Sequence, residues 1–213
     1  MVQIAPSILA ADPTNLEAEI KAIEPYCEYI HIDIMDGHFV PNLSFGPAVV
    51  KSLREKTTRL LDVHLMIENP KFYVPIFADA GADIITVHVE VCSLKLFEKL
   101  ALQLHDQHKK IGIALRPKTA ITKILPYLKW TDLVLVMSVE PGFGGQEYIA
   151  ATSDRVVALK KEIPCSIMLE VDGGITTTTA GSAQAAGADI LVAGNAVFKS
   201  SDYRAAISAL YQT

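Results

Sequence analysis

Short apolar runs with a period of two alternate with stretches of helical spacing from one end of the chain to the other, and the alternation never changes character. The spacing predicts strands over residues 3–9, 29–35, 59–66, 83–89, 110–115, 131–137, 166–171 and 190–193. Helices are expected over 15–23, 48–56, 70–80, 94–105, 121–128, 150–161, 177–186 and 202–211. Asp12 or Thr14 is available to cap the first helix, and Asn69-Pro70 opens the third. Ala-Gly-Ala-Asp occurs at 80–83 and again at 186–189, the same helix-stop and strand-start device used twice, which hints at an internal repeat.

Strands and helices in strict alternation call for a parallel sheet whose faces are covered by helices. A doubly wound open sheet satisfies that pattern, but eight runs and eight helices in 213 residues suit a compact, single-domain (β/α)8 TIM barrel better. No Pro/Gly/Ser linker interrupts the chain, so residues 1–213 are expected to form one domain. In such a barrel the chemistry belongs at the C-terminal ends of the strands.

The second run, Tyr29-Ile30-His31-Ile32-Asp33-Ile34-Met35, is the most informative. Its isoleucines share one face, and His31, Asp33 and Met35 share the other. With helices over the isoleucine face, the His/Asp/Met row points into the barrel. A carboxylate and an imidazole there are costly unless paired, hydrogen-bonded or bound to a metal. A His-Asp pair that only braces the core is the competing reading.

Half of the residues are hydrophobic and the formal net charge is -5, with no Lys/Arg cluster, which argues against a nucleic-acid partner. Cys27, Cys92 and Cys165 are far apart, odd in number and free of CxxC spacing, which fits a reducing compartment. Residues 1–7 do not read as a signal peptide and no apolar stretch approaches membrane-spanning length, so the expectation is a cytoplasmic protein with no membrane partner.

The strand ends supply Ser7, His31, Asp33, Met35, His64, Met66, Met137 and Asp172. His31, Asp33, His64 and Asp172 bring two imidazoles and two carboxylates from three strands to one barrel mouth. That donor set suits Zn2+, Fe2+, Mn2+ or Co2+. If Asp33 and Asp172 face each other, a substrate between them has a carboxylate on each side. This arrangement suits inversion at a carbon acidified by a neighbouring carbonyl. Met35, Met66 and Met137 then wall the pocket, although filling the barrel is the commoner role for methionine.

Glycines gather after the last three strands: Gly142, Gly144 and Gly145 flank Phe143, Gly173 and Gly174 follow Asp172, and Gly194 precedes Asn195. Backbone amides there can approach a phosphate, and a helix starting after Gly194 would add its positive end. The spacing matches neither nucleotide-binding glycine motif. Lys118 and Arg116 follow the fifth strand, away from the metal candidates, which weakens a Schiff-base aldolase reading. His88, Glu90 and Glu170 share inward parity and are read as supporting or core residues. The loops at 38–45 and 138–147 are long enough to cover a substrate.

The segments IAPSIL at 4–9, HIDIMDGHFVPN at 31–42, DVHLMI at 62–67, MSVEPGFGGQ at 137–146 and EVDGGI at 170–175 resemble the ribulose-phosphate 3-epimerases along essentially the whole chain. The resemblance implies a phosphate-binding (β/α)8 barrel that interconverts D-ribulose 5-phosphate and D-xylulose 5-phosphate by inversion at C3. It implies His31, Asp33, His64 and Asp172 as ligands of one divalent ion, Zn2+ first among the candidates, with Asp33 and Asp172 as the acid/base pair. Ser7 and the three methionines match pocket positions. Gly142 to Gly145, Gly173, Gly174, Gly194 and Asn195 match the phosphate grip. Family members assemble, so a homo-oligomer is expected. Asn195 stands where the family usually has Ser, and Pro13 where a large apolar residue is common. Two alternatives are a hexulose or hexulose-6-phosphate 3-epimerase and a phosphosugar-binding barrel without turnover.

Overall fold

The computed structural model describes residues 2–212. Eight parallel strands are joined in the order β1-β8-β7-β6-β5-β4-β3-β2. They are β1 Gln3–Pro6, β2 Tyr29–Met35, β3 Leu60–Met66, β4 Ile84–His88, β5 Lys110–Leu115, β6 Leu133–Met137, β7 Met168–Asp172 and β8 Ile190–Ala193. A single parallel bridge between Ser7 and His31 brings β1 beside β2, so the sheet curls into the expected barrel. The helices are α1 Leu16–Ile23, α2 Pro47–Arg54, α3 Pro70–Asp79, α4 Leu94–Asp106, α5 Ala151–Glu162, α6 Ala180–Ala185, α7 Asn195–Phe198 and α8 Tyr203–Tyr211.

Three expected elements differ. The first strand stops at Pro6 because the Ser7 hydroxyl accepts the Leu9 amide and turns residues Ile8–Ala10 into a 3-10 helix. The first helix is capped by neither Asp12 nor Thr14: Asp12 accepts the amide and hydroxyl of Thr14 in a local turn, and Asn15 occupies the cap position. The α-helix expected over 121–128 forms as two 3-10 segments, Ile121–Lys123 and Leu125–Trp130. Pro126 explains the break, since it has no amide to donate and its ring crowds the preceding turn.

Apolar residues build two layers. Ile30, Ile32 and Ile34 of β2 lie with Leu61, Val63 and Leu65 of β3 in the shell between barrel and helices. Ala5, Tyr29, Ile84, Leu133, Leu135, Ile190 and Val192 fill the barrel interior. Packing inside is tight where β4 meets β5: a Cβ on Gly112 would lie 2.2 Å from the Thr86 hydroxyl oxygen. Glycine is the residue that lets these strands approach so closely.

The N-terminal rim of the barrel is held by a device used three times. Asp83 pairs with Arg54 at the end of α2 and accepts the Leu61 amide at the start of β3. Asp132 binds His105 of α4 and the Ile111 amide of β5 in the same way. Asp189 holds Lys160 of α5 and the Leu169 amide of β7. Two of these aspartates are the last residues of the repeated Ala-Gly-Ala-Asp segments, so the hint of repetition in the sequence has a structural counterpart.

Replacing Asp189 by Ala should lower stability by about 1–3 kcal/mol, because the part-buried Leu169 amide loses its acceptor while the exposed ion pair to Lys160 contributes little. Denaturant unfolding measures this; an unchanged midpoint would show that water replaces the aspartate without cost.

Candidate active site

The inward parity of β2 and β3 places Asp33 directly beside His64, His31 beside Asp62, and Met35 beside Met66. Asp172 ends β7 beside Met137 of β6. The four side chains His31, Asp33, His64 and Asp172 therefore converge from three strands, with one donor atom from each lying within 4.8 Å of the others. His64 Nδ1 lies 3.1 Å from Asp33 Oδ1 and 3.8 Å from Asp172 Oδ2, and His31 Nε2 is 3.4 Å from Asp33 Oδ1. The remaining Asp33 oxygen, Oδ2, accepts the Ser7 hydroxyl at 2.7 Å.

A cavity of about 550 Å³ opens above this cluster. Its wall contains Ser7, Asp33, Met35, Met66, Met137 and Asp172 at one end, and Gly142, Phe143, Gly144, Gly145, Gly173, Gly174, Gly194 and Asn195 at the other. His31 and His64 are fully buried behind that wall. The glycine end is shaped by Ser138, whose amide donates to the Asp172 carbonyl and whose hydroxyl donates to the Gly173 carbonyl, tying the ends of β6 and β7 together. Gly174 has a φ of +62°, and a Cβ there would fall 2.4 Å from the Tyr148 backbone nitrogen. No larger residue fits without moving that loop.

Other residues were not singled out from the sequence. Asp62 Oδ2 lies 2.6 Å from His31 Nδ1, and Asp62 shares the parity of His64 and Met66, a signal that could have found it. Ser44 links the 38–45 loop to β2 by donating to the Asp33 carbonyl and accepting the Met35 amide. Asp36 organises the turn after β2 by accepting the amides of His38, Phe39 and Glu68. Asn42 donates to the Gly142 carbonyl at 2.7 Å and so connects the two long loops beside the cavity. Lys199 also lines the cavity.

The fields at these groups are strongly unequal. Burial opposes ionisation of Asp33, but the charge of His31 beside it prevails and holds the carboxyl well below its ordinary range. Burial, reinforced by the charge of Asp33, pushes Asp172 up to about 6. Burial also works against charge on His31, but Asp62 and Asp33 prevail and raise it well above the usual histidine value. Burial and the charge of Asp62 push Glu170, beneath the cluster, well above the carboxylate range. Burial lowers His88 to about 4.

The donor set fits a divalent cation. His31 Nδ1 is committed to Asp62, and its other nitrogen, Nε2, is buried without a hydrogen-bond partner among the described residues while facing Asp33. Imidazole nitrogens and carboxylate oxygens converging in this way suit the borderline metals. His31, Asp62 and Glu170 also cluster, but there the His31 nitrogen already serves Asp62.

Fold and site together define a parallel (β/α)8 barrel with a buried His/Asp cluster at the C-terminal mouth and a glycine-walled cavity above it. The ribulose-phosphate 3 epimerase family matches residues 3–198, and the chain belongs to that family. The ribulose-phosphate 3-epimerase of Bacillus subtilis is 45% identical over 213 residues, covering 98% of this chain and 97% of the relative. That of Synechocystis sp. is 43% identical over 211 residues, covering 97% and 92%. The solved structure of 3-keto-L-gulonate-6-phosphate decarboxylase from Vibrio cholerae is 16% identical, with a TM-score of 0.77 over 99% of this chain and 96% of that one, and shares the fold. No helix among the described residues is long and apolar enough to cross a membrane.

Because a cation must displace the proton that His31 carries near neutrality and the one Asp172 takes up below pH 6, affinity falls as pH falls. Zn2+ binding should release protons, and more of them below pH 6 than at pH 7. Calorimetry in buffers of different ionisation enthalpy measures this. An affinity that does not change between pH 5 and 7 would show that these groups are not the ligands.

Proposed function

We propose that this protein interconverts D-ribulose 5-phosphate and D-xylulose 5-phosphate by inversion at C3, with Asp33 and Asp172 as the acid/base pair. The observation that carries the reading is the pair itself: two carboxylates from β2 and β7 line one cavity, and their environments push their proton affinities in opposite directions. Such a split assigns one group to hold a proton and the other to take one.

His31, Asp33, His64 and Asp172 are the residues that would hold a divalent ion, Zn2+ first, then Fe2+, Mn2+ or Co2+. When bound, the ion supplies Lewis-acid stabilisation of the ketose oxygens that become negative as the C3 proton leaves. One aspartate removes that proton from one face of the sugar, giving an enediolate, and the other protonates C3 from the opposite face. The Ser7 hydroxyl, donating to Asp33, fixes the orientation of that carboxylate. Met35, Met66 and Met137 keep water away from the reacting carbon and present polarisable, apolar contacts.

The glycine end of the cavity is assigned to the phosphate. Gly144, Gly145, Gly174 and Gly194 bring backbone close to the cavity, and Asn195 begins α7 there. Asn195 takes the place of the family's usual Ser and still offers an amide donor. Its Nδ2 would lie 2.8 Å from a Cβ on Gly145, so the side chain already bridges toward the opposite loop. Lys199 adds a cation at the same end, which suits a dianionic group in an otherwise acidic protein. The same reading extends to one domain over residues 1–213, a cytoplasmic setting and a homo-oligomer, the last as the family resemblance implies.

Incubation of the metal-loaded protein with D-ribulose 5-phosphate in D2O should give xylulose 5-phosphate carrying deuterium at C3. Asp33→Asn and Asp172→Asn should each lower turnover by about 10²–10⁴-fold and suppress the exchange. Deuterium incorporation at the wild-type rate in either variant would refute the two-carboxylate mechanism. The phosphorylated ketose should be strongly preferred over free ribulose; equal kcat/KM for both would remove the role given to the glycine loops. Turnover of hexulose 6-phosphates alone would move the substrate to the larger sugars.

A further inference from the structure

Behind His64 a chain of hydrogen bonds leads away from the cavity. His64 Nε2 lies 2.9 Å from His88 Nε2, and His88 Nδ1 lies 3.1 Å from Glu90 Oε2. Both imidazoles are fully buried. The far end is anchored: Glu90 Oε1 accepts the Arg116 amide at 3.0 Å and the Thr119 hydroxyl. The Phe39 ring packs on His88 at 4.7 Å between centroids, the Arg116 guanidinium lies 4.1 Å from the centre of the Phe39 ring, and Arg116 donates to the Phe39 carbonyl at 2.7 Å. Of these residues, His64 alone belongs to the four-residue cluster.

With the fully buried His88 in its neutral form, proton counting along the chain has one solution. Two ring nitrogens at 2.9 Å share a single proton. The Glu90 carboxylate can only accept, so His88 Nδ1 carries a hydrogen. A neutral His88 then presents a lone pair at Nε2, and the shared proton belongs to His64 Nε2. His64 Nδ1 is left with its lone pair directed among Asp33 and Asp172, a contact between electron-rich atoms at 3.1 Å and 3.8 Å that becomes favourable when a cation sits among them.

We propose that Glu90 and His88 are positioning residues that fix the tautomer of His64 and thereby keep its Nδ1 available as a metal donor. The inference rests on the metal reading of the His31/Asp33/His64/Asp172 cluster. It gives work to two residues that touch neither the cavity wall nor the reacting atoms. It also runs through Phe39 and Arg116, so the same anchor that holds Glu90 holds the loop beside the cavity.

Three variants separate the roles. His88→Phe keeps a planar ring but offers no acceptor; His88→Gln can place an amide oxygen near the position of Nε2; Glu90→Gln lets the His88 partner donate as well as accept. Long-range 1H–15N spectra of the metal-free wild type should show His64 as the Nε2–H tautomer, and in His88→Phe a mixture of both tautomers. Zn2+ affinity, measured in competition with a chromophoric chelator, should fall about 10–100-fold in His88→Phe, fall by less in Glu90→Gln and recover most of the loss in His88→Gln. Thermal unfolding identifies a variant that fails to fold; the wild-type spectrum and Glu90→Gln then decide. An Nδ1–H tautomer in the wild type, or wild-type Zn2+ affinity in folded His88→Phe, would overturn the proposal. Absence of Zn2+ binding by the wild type overturns the metal reading instead, and the spectra still report whether His88 sets the tautomer.

Discussion

Everything at the mouth of this barrel answers to one constraint: Asp33 is a carboxylate sealed almost completely from water. An isolated charge in such a place is prohibitively costly, and the neighbours are the residues that offset it. Ser7 donates to one oxygen and the charged His31 faces the other, with His64 Nδ1 beside it where a cation would join them. Each of those neighbours then needs its own partner, which brings in Asp62 behind His31 and His88 behind His64. On the His64 side the polar network is thus a succession of groups each requiring the next, and that branch ends where Glu90 reaches a part-exposed position. Apolar layers above and below it confine the charge, and parallel strand pairing with a two-residue period sends all of these groups to the same side.

Much of this was legible because period-two patterning is a local property. The isoleucines at 30, 32 and 34 identify the outward face without knowledge of any other strand, and so identify His31, Asp33 and Met35 as inward. The same logic applied to His64, Met66 and Asp172. It left the identity of neighbours open, because which strand ends meet depends on barrel closure and register. Asp62 illustrates the limit: its parity is visible, but that its carboxylate faces His31 follows only from the pairing of β2 with β3. Ser44, Asn42 and Arg116 act between loops, and loops carry no period from which to read contacts.

Errors in the sequence reading have equally local causes. Residues 121–128 contain the right apolar spacing for a helix, but Pro126 outweighs it. Asp12 and Thr14 are both good capping residues, and they satisfy each other instead of the helix. The departure at Pro13 has little effect on packing, because that side chain is exposed in the turn before α1. In each case a short-range preference competed with another short-range preference, and the sequence alone does not rank them.

The closure of the barrel has a consequence for how the molecule breathes. Full ladders connect the strands from β2 round to β8 and on to β1, whereas β1 and β2 meet through one bridge, Ser7 to His31. Among the described residues that seam has no aspartate fastener of the kind formed by Asp83, Asp132 and Asp189; the Ile4 amide there donates to the Tyr211 hydroxyl at 3.5 Å. Partial opening of a protein starts where the fewest backbone bonds must break. Here that place is the seam whose rim carries Ser7 and Asp33, so the first fluctuation of the barrel would part the hydroxyl from the carboxylate. The joint with the fewest backbone bonds is therefore the one that carries Ser7 to Asp33, while the ladders from β2 round to β8 keep all four members of the cluster in register.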